Sequence, residues 1–177
     1  TLPVNVEPDR ETDIVIIGAG IIGACSAYST ARAGLDVVVL ERGQPNNLAS
    51  GGNAGSLHIQ FLSYSLKDEA MAMGRPVAEA LPLYLASIRR WEEIEKELRV
   101  DLEVAITGGL VVAENKPELE RLKSKAEVER AYGVPVEMIG PSELQDLAPM
   151  VAKHMVGASW CPREGRINPL LATQAVI

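Results

Sequence analysis

Two short runs of consecutive apolar residues open the chain, and a segment of helical character separates them. The β-branched run Ile14–Ile17 predicts a central parallel strand that is buried on both faces, and Asp36–Leu40 predicts a second strand. Residues 21–33 predict a helix that ends at Gly34, because glycine tolerates the left-handed conformation past a helix end. The order strand, helix, strand predicts a Rossmann-like α/β fold.

Three glycines lie between the first strand and the helix in the order Gly18-x-Gly20-x-x-Gly23. The first glycine permits a tight turn, the second lets the backbone approach a pyrophosphate, and the third lets the helix pack closely on the strand. The helix would direct its free amides and positive dipole end at the phosphates. Glu41, at the end of the second strand, is placed to accept hydrogen bonds from ribose hydroxyls. The alternative is a glycine-rich turn in another βαβ protein, but all four features together predict dinucleotide binding.

The loop at 43–55 is rich in Gly, Asn, Ser and Ala. Its backbone amides and small side chains suit close contact with a flat polar ring, whereas the alternative is a solvated surface loop. An NAD-binding domain would usually continue with another helix and a third parallel strand, so the loop favours FAD.

These segments resemble the family of D-amino-acid oxidase, glycine oxidase and sarcosine oxidase, which are FAD-dependent amine oxidoreductases. The motifs that carry the resemblance are Gly18-x-Gly20-x-x-Gly23-x-x-x-Ala27, Gly34-x-x-Val37-x-x-x-Glu41-Arg42 and Ser50-Gly51-x-Asn53-Ala54-Gly55. The nearest likeness is to D-amino-acid dehydrogenase and to the FAD-bearing β subunits of opine or hydroxyproline oxidases. The resemblance implies that Glu41 holds the adenosine ribose, that Arg42 lies beside the adenosine diphosphate, and that 50–55 runs along the pyrophosphate and flavin.

The predicted cofactor-binding residues are Gly18, Gly20, Ile21, Ile22, Gly23, Glu41, Arg42, Ser50, Gly51, Gly52, Asn53, Ala54 and Gly55. Some relatives carry a covalently bound flavin on a histidine just before the Ala-Gly pair. Asn53 stands there in this chain, so we expect FAD to be held non-covalently at this loop. His58 is a candidate proton carrier near the flavin, and a structural histidine is the alternative.

The remaining chain predicts an α+β unit. Apolar positions up to Leu98 predict a helix that Pro82 kinks or breaks. We expect strands at 104–107 and 110–113, or one long strand with a bend at the two glycines between them, and further strands at 136–139 and 155–160. Helices are expected to be capped by Asn115, by a capping box at Ser142–Gln145 and by Asn168. The last of these helices would run to residue 177.

The resemblance organises these elements into four segments. Residues 1–62 would be the first part of a discontinuous FAD-binding domain, and 63–100 a helical connection. Residues 101–162 would begin a substrate-binding domain with a mixed sheet, and 163–177 would return to the FAD-binding domain. The chain is thus interpreted as an N-terminal portion, with the family's substrate-binding Arg and Tyr expected beyond residue 177.

Composition and charge exclude several classes of protein. The 177 residues carry a net charge of -7, which does not favour binding to nucleic acid. The two cysteines have no metal-binding or disulfide spacing, so we predict a reducing compartment: the cytoplasm, or a peripheral place at the inner membrane. No apolar run approaches the roughly 18 residues of a membrane span, and the first twelve residues do not resemble a signal peptide.

The expected reaction is oxidation of the C–N bond of an amino acid or secondary amine, of the D-amino-acid, glycine/sarcosine, proline/hydroxyproline or opine type. A hydride would pass to flavin N5, the imine would hydrolyse, and oxygen or a quinone would take the electrons. The expected partners are this substrate and other subunits or the missing C-terminal half. The alternatives are a non-catalytic FAD-binding subunit of a larger complex and another FAD- or NAD-dependent dehydrogenase.

Overall fold

The computed structural model describes residues 11–61 and 78–177. The chain divides into two units. The first unit comprises Thr1–Gly55, Leu98–Glu103 and Ile167–Ile177, and the second comprises Ser56–Glu97 and Val104–Arg166. The start of the helical pattern before Ala78 lies outside the described residues.

The first unit contains the predicted βαβ arrangement. Strand β1 (Ile14–Ile17), helix α1 (Ile21–Arg32) and strand β2 (Val37–Leu40) follow one another, and the two strands pair in parallel with Ile14 opposite Val37. Gly34 has a φ of 89° just past the helix, as predicted. Helix α5 (Pro169–Ala175) contacts α1 within this unit.

The prediction that β1 is buried on both faces is wrong. Val15 is 53% exposed and Ile17 is 87% exposed, whereas Ile16 faces α1, with its Cγ2 3.3 Å from where a side chain on Gly23 would begin. Successive side chains of a strand point to opposite faces. Helix α1 covers one face of the two-stranded sheet, and in the described part of the chain the other face stays open.

The second unit is built on a three-stranded antiparallel sheet. Its strands are β4 (Gly109–Ala113), β5 (Glu137–Ile139) and β6 (Gly157–Cys161), in the order β4-β6-β5. We predicted a mixed sheet, in which at least one pair of neighbouring strands is parallel. In this sheet β6 lies between β4 and β5 and pairs antiparallel with both, so each neighbouring pair is antiparallel.

The second unit also contains three helices and a small second sheet, and its helices over 116–131 and 141–147 contact the three-stranded sheet. Helix α2 (Leu81–Leu98), helix α3 (Lys116–Ala131) and helix α4 (Pro141–Leu147) are its helices, and β3 (Ser56–Leu57) pairs antiparallel with β7 (Gly165–Arg166). The strand predicted at 104–107 is reduced to one bridge between Ala105 and Arg166.

Among the other helix ends, three agree with the sequence and two do not. Pro82 lies in the first turn of α2, which therefore begins beside it. Asn115 and Asn168 cap their helices as predicted, each accepting a backbone amide at 3.0 Å. The capping box at Ser142 is wrong, since Pro141 takes the first helical position and makes Gly140 the N-cap. Helix α5 ends at Ala175 rather than at residue 177.

The core of the second unit is apolar except for a group of buried polar side chains. Ile59, Leu81, Ile88, Ala126, Val134, Val136 and Cys161 form one cluster. Lys125 and Glu129 on α3 are 1% and 0% exposed beside it.

Among residues 11–61 and 78–177, no helix combines the length and apolar character needed to cross a membrane.

Candidate cofactor site

The glycine turn has the geometry that its spacing predicts. Gly18 has a φ of 103°, and its amide donates to the carbonyl of Leu40 at 2.7 Å, which ties the turn to β2. A side chain on Gly23 would overlap the Gly18 carbonyl oxygen. Helix α1 can therefore approach β1 this closely only because residue 23 lacks a Cβ.

Gly20 lies at the N-terminus of α1, where Ser50 from the following loop reaches the helix. The Ile21 amide donates to Ser50 Oγ at 2.9 Å, and a Cβ on Gly20 would lie 2.9 Å from the same oxygen. The Ile22 amide has no hydrogen-bond partner in the part of the chain that the structure describes. The first turn of α1 thus presents a free amide at the positive end of a helix of 12 residues.

The carboxylate of Glu41 is held against the same turn. Its Oε2 accepts from the amide of Ala19 at 2.8 Å, and its Oε1 accepts from the amide of Gly43 at 2.9 Å. These two amides lower the pKa of Glu41, with the Ala19 amide having the larger effect. The side chain predicted to bind ribose is therefore an ionised acceptor fixed beside Gly20.

Asn46 ties the loop at 43–55 to the glycine turn and to Pro169. The Asn46 amide donates to the Ala19 carbonyl at 3.2 Å, and Asn46 Nδ2 donates to the Pro169 carbonyl at 3.0 Å. A Cβ on Gly51 would overlap the Asn46 carbonyl oxygen. Asn46 is not among the predicted site residues. Its φ is 62°, a value that Asn adopts more readily than most residues.

Asn53 shapes the end of this loop. Its Nδ2 donates to the carbonyls of Ala49 and Ser50 at 3.0 and 2.7 Å, and its Oδ1 accepts from the Gly55 amide at 2.8 Å. The side chain is thus engaged in local hydrogen bonds. Of the other predicted cofactor residues, Arg42, Gly52 and Ala54 are exposed.

His58 belongs to the second unit. Its side chain is 57% exposed, and Nδ1 lies 3.9 Å from Oε2 of the buried Glu164. No pattern in the sequence associates these two residues.

A group of three or more side chains able to hold a metal ion does not occur in the described ranges.

The turn, the helix and the acidic residue after β2 together define a dinucleotide-binding βαβ unit. The model of the FAD dependent oxidoreductase family matches residues 13–177, so the chain belongs to that family. The resemblance to D-amino-acid, glycine and sarcosine oxidases is confirmed, and so is FAD as the cofactor of the family.

Known relatives are longer than this chain. It is 28% identical over 169 residues to the sarcosine oxidase subunit beta of Arthrobacter sp, an alignment that covers 91% of the chain and 38% of that protein. It is 29% identical over 167 residues to a subunit of the anaerobic glycerol-3-phosphate dehydrogenase of Haemophilus influenzae, covering 92% of the chain and 26% of that protein. The crystal structure of glycine oxidase from Geobacillus kaustophilus superposes with a TM-score of 0.77 at 25% identity, covering 93% of the chain and 43% of the enzyme.

Proposed function

We propose that this chain forms the FAD-binding portion of an oxidoreductase that oxidises the C–N bond of an amino acid or a secondary amine. The observation that carries the proposal is the arrangement at the start of α1, where Ser50 and Glu41 bind the amides of Ile21 and Ala19. The similarity to glycine oxidase and to part of a sarcosine oxidase supports an amine as substrate.

The residues around the first turn of α1 fit a pyrophosphate. The amides of Ile21 and Ile22 lie at the positive end of the helix dipole, with the Ile21 amide bonded to Ser50 Oγ, and Gly20 adds no side chain of its own to the approach. Ser50 accepts from Ile21 and retains its own hydroxyl proton for a phosphate oxygen. Each carboxylate oxygen of Glu41 accepts from one backbone amide and keeps a second lone pair. Glu41 can therefore also accept from the ribose hydroxyls.

The loop at 50–55 would follow the pyrophosphate and the flavin, with Arg42 beside the adenosine diphosphate. Asn53 offers no nucleophilic atom to the flavin and holds the loop through three hydrogen bonds. FAD would therefore be bound non-covalently at this loop. We assign cofactor binding to the first unit and substrate contacts to the second.

Bound FAD would supply the acceptor for the hydride that leaves the substrate carbon. His58 is the candidate in this chain for holding the proton that the substrate nitrogen releases. The side chains that grip the substrate carboxylate are expected from sequence corresponding to the rest of the relatives, on the same polypeptide or on a partner protein. Oxygen or a quinone would reoxidise the cofactor.

The visible spectrum of the purified protein tests both parts of this proposal. We expect flavin absorption bands that bleach anaerobically on addition of one of sarcosine, glycine, D-alanine, proline, hydroxyproline or an opine. The flavin should be released by acid precipitation of the protein, since it is not covalently bound. A colourless protein that binds no added FAD would contradict the proposal.

Gly20→Val tests the site itself. The new side chain would meet Ser50 Oγ and occupy the approach to the helix amides, so we expect FAD retention to be lost. Gly140→Ala is the matched control, since a Cβ there meets no atom within 4 Å. Retained flavin in Gly20→Val would count against the assignment, and loss of flavin in Gly140→Ala would show that the assay responds to unrelated changes.

The similarity to part of a glycerol-3-phosphate dehydrogenase favours a second candidate, oxidation of a C–O bond by the same cofactor site. Bleaching by glycerol 3-phosphate and by none of the amines would support that candidate. A flavin that dithionite reduces but no substrate reduces would instead favour the non-catalytic FAD-binding subunit.

A further inference from the structure

A buried polar network in the second unit surrounds the side chain of Gln60. Gln60 Oε1 accepts from Lys125 Nζ at 3.1 Å and from Ser159 Oγ at 2.7 Å. Gln60 Nε2 donates to the Gly109 carbonyl at 3.1 Å and to Glu164 Oε2 at 3.3 Å. The amide therefore uses both donors and both acceptor positions inside the protein, which fixes its orientation.

Two carboxylates of this network hold one short stretch of main chain. The amides of Ile59 and Gln60 both donate to Glu164 Oε1 at 2.6 Å, and the amide of Phe61 donates to Glu129 Oε1 at 2.7 Å. Hydrogen bonds to a charged acceptor are stronger than those between neutral groups. Three consecutive amides are thus fixed by side chains more than 60 positions away in the sequence.

The fixed main chain carries the exposed ring of His58. The two residues that follow it are only 1% and 5% exposed, whereas the His58 side chain is 57% exposed. The residue before it, Leu57, pairs with Gly165, the direct neighbour of Glu164. The imidazole therefore stands on a backbone that is held on both sides, which is the support that a precisely placed functional group requires.

Without His58, the network contains more negative than positive charge. When both are ionised, Glu129 and Glu164 carry two negative charges, and Lys125 supplies one positive charge at 2.8 Å from Glu129. In the described part of the chain, His58 is the basic side chain within ion-pair distance of Glu164. Nδ1 of His58 lies 3.9 Å from Glu164 Oε2, so a proton taken up by the imidazole would create a positive charge beside this carboxylate.

We propose that Glu164 is a positioning residue that fixes His58 for proton transfer. This inference rests on the proposed function, in which an amine substrate must lose a proton before its carbon is oxidised. The N–H bond of the substrate ammonium breaks, its electron pair stays on the nitrogen, and the proton passes to the imidazole. Glu164 acts by holding the main chain at Ile59 and Gln60 and by stabilising the imidazolium that results.

The test is a double-mutant cycle with Glu164→Gln, His58→Asn and the double variant in the FAD-loaded protein. The readout is the limiting rate constant of flavin reduction, measured by anaerobic stopped-flow over a range of concentrations of the amine that bleaches the wild type. We expect each single variant to lower this rate constant about tenfold to a hundredfold. The double variant should be no slower than His58→Asn, because Glu164 acts through His58.

The other histidine of the chain provides the matched control. His154 Nε2 lies 3.2 Å from Glu114 Oε1, and both side chains are more than 60% exposed. His154→Asn and Glu114→Gln should leave the limiting rate constant within about twofold, as surface changes away from a site do.

Independent, multiplying effects of Glu164→Gln and His58→Asn would overturn the inference. An unchanged rate constant in His58→Asn would overturn it alone, even if Glu164→Gln does not fold, since the His58 ring is largely exposed. A wild-type protein whose flavin no amine reduces would overturn the proposed function instead, which distinguishes the two failures.

Discussion

The two units use glutamates in the same way but in opposite surroundings. In the first unit, Glu41 accepts two backbone amides at the surface of the glycine turn, and these amides lower its pKa. In the second unit, Glu129 accepts the Phe61 amide inside the core, where burial raises its pKa against the opposing effect of Lys125. A solvated carboxylate stays available for a ligand, whereas a buried one is committed to holding the main chain.

We expect Lys125→Met to lower the stability of the protein more than any other substitution proposed for the two units. The Lys125 and Glu129 side chains are both 0% exposed, and their charged groups lie 2.8 Å apart. Removal of the ammonium leaves a buried carboxylate without its counter-ion, which costs about 3–5 kcal/mol of unfolding free energy. Urea unfolding of the purified protein, followed by circular dichroism, measures the loss.

Lys123→Met is the control on the same helix. Lys123 pairs with Glu120 at 2.7 Å, but the two side chains are 49% and 68% exposed. Exposed pairs contribute about 0–1 kcal/mol. Equal losses in the two variants would show that burial does not distinguish the ion pairs, and the contrast between surface and core would fail.

More of the first unit than of the second could be predicted from the sequence. The glycine turn and Glu41 lie within one βαβ unit, so their spacing along the chain reflects their distance in space. Lys125 and Glu129 are four positions apart on α3, a spacing that equally fits a surface pair. Nothing in the sequence indicates that this pair is buried, because its environment is set by Gln60 and Ser159 from distant segments.

Two sequence-based predictions are wrong, each for its own physical reason. A buried β1 was expected from apolar character alone, whereas burial depends on which other elements cover the sheet. The capping box at Ser142 was expected from residue types, but the fixed φ of Pro141 starts the helix one position earlier. Local signals such as Asn115 and Asn168 were predicted correctly because both partners of each cap are neighbours in the chain.

Gly23→Ala tests the close packing of α1 on β1 in the first unit. The added methyl group would overlap the Gly18 carbonyl oxygen, which is backbone and cannot rotate away. We expect the unfolding free energy to fall by about 1–3 kcal/mol, as in other overpacked sites, and FAD affinity to fall with it. Thermal unfolding with and without added FAD measures both.

The matched control for this change is again Gly140→Ala, where the added Cβ meets no atom within 4 Å. The change from Gly to Ala at this helix N-cap should cost about 0.5–1 kcal/mol of unfolding free energy, but it should leave FAD affinity unchanged. Normal FAD affinity in Gly23→Ala would mean that close packing of α1 on β1 is not required for the cofactor site.

The smallest expected effects are the pH dependences of Glu41 and Glu129, which should have opposite signs. The pKa of Glu41 is lowered from its ordinary value of 4.5, so the stability that Glu41 contributes is present above pH 4.5 and is lost as the pH falls through its folded pKa. The pKa of Glu129 is raised, so its contribution is complete below pH 4.5 and is lost as the pH rises through its folded pKa.

Unfolding free energies measured without added FAD between about pH 3 and pH 8 would give each dependence as the difference between wild type and Glu41→Gln or Glu129→Gln. The Glu41 difference should grow with rising pH, and the Glu129 difference should change in the opposite direction. Glu127→Gln supplies the baseline, since Glu127 is exposed and has no partner in the described structure. Parallel pH profiles for Glu41→Gln and Glu129→Gln would show that the surroundings of the two carboxylates do not set their protonation, and the contrast between the two units would then reduce to one of packing.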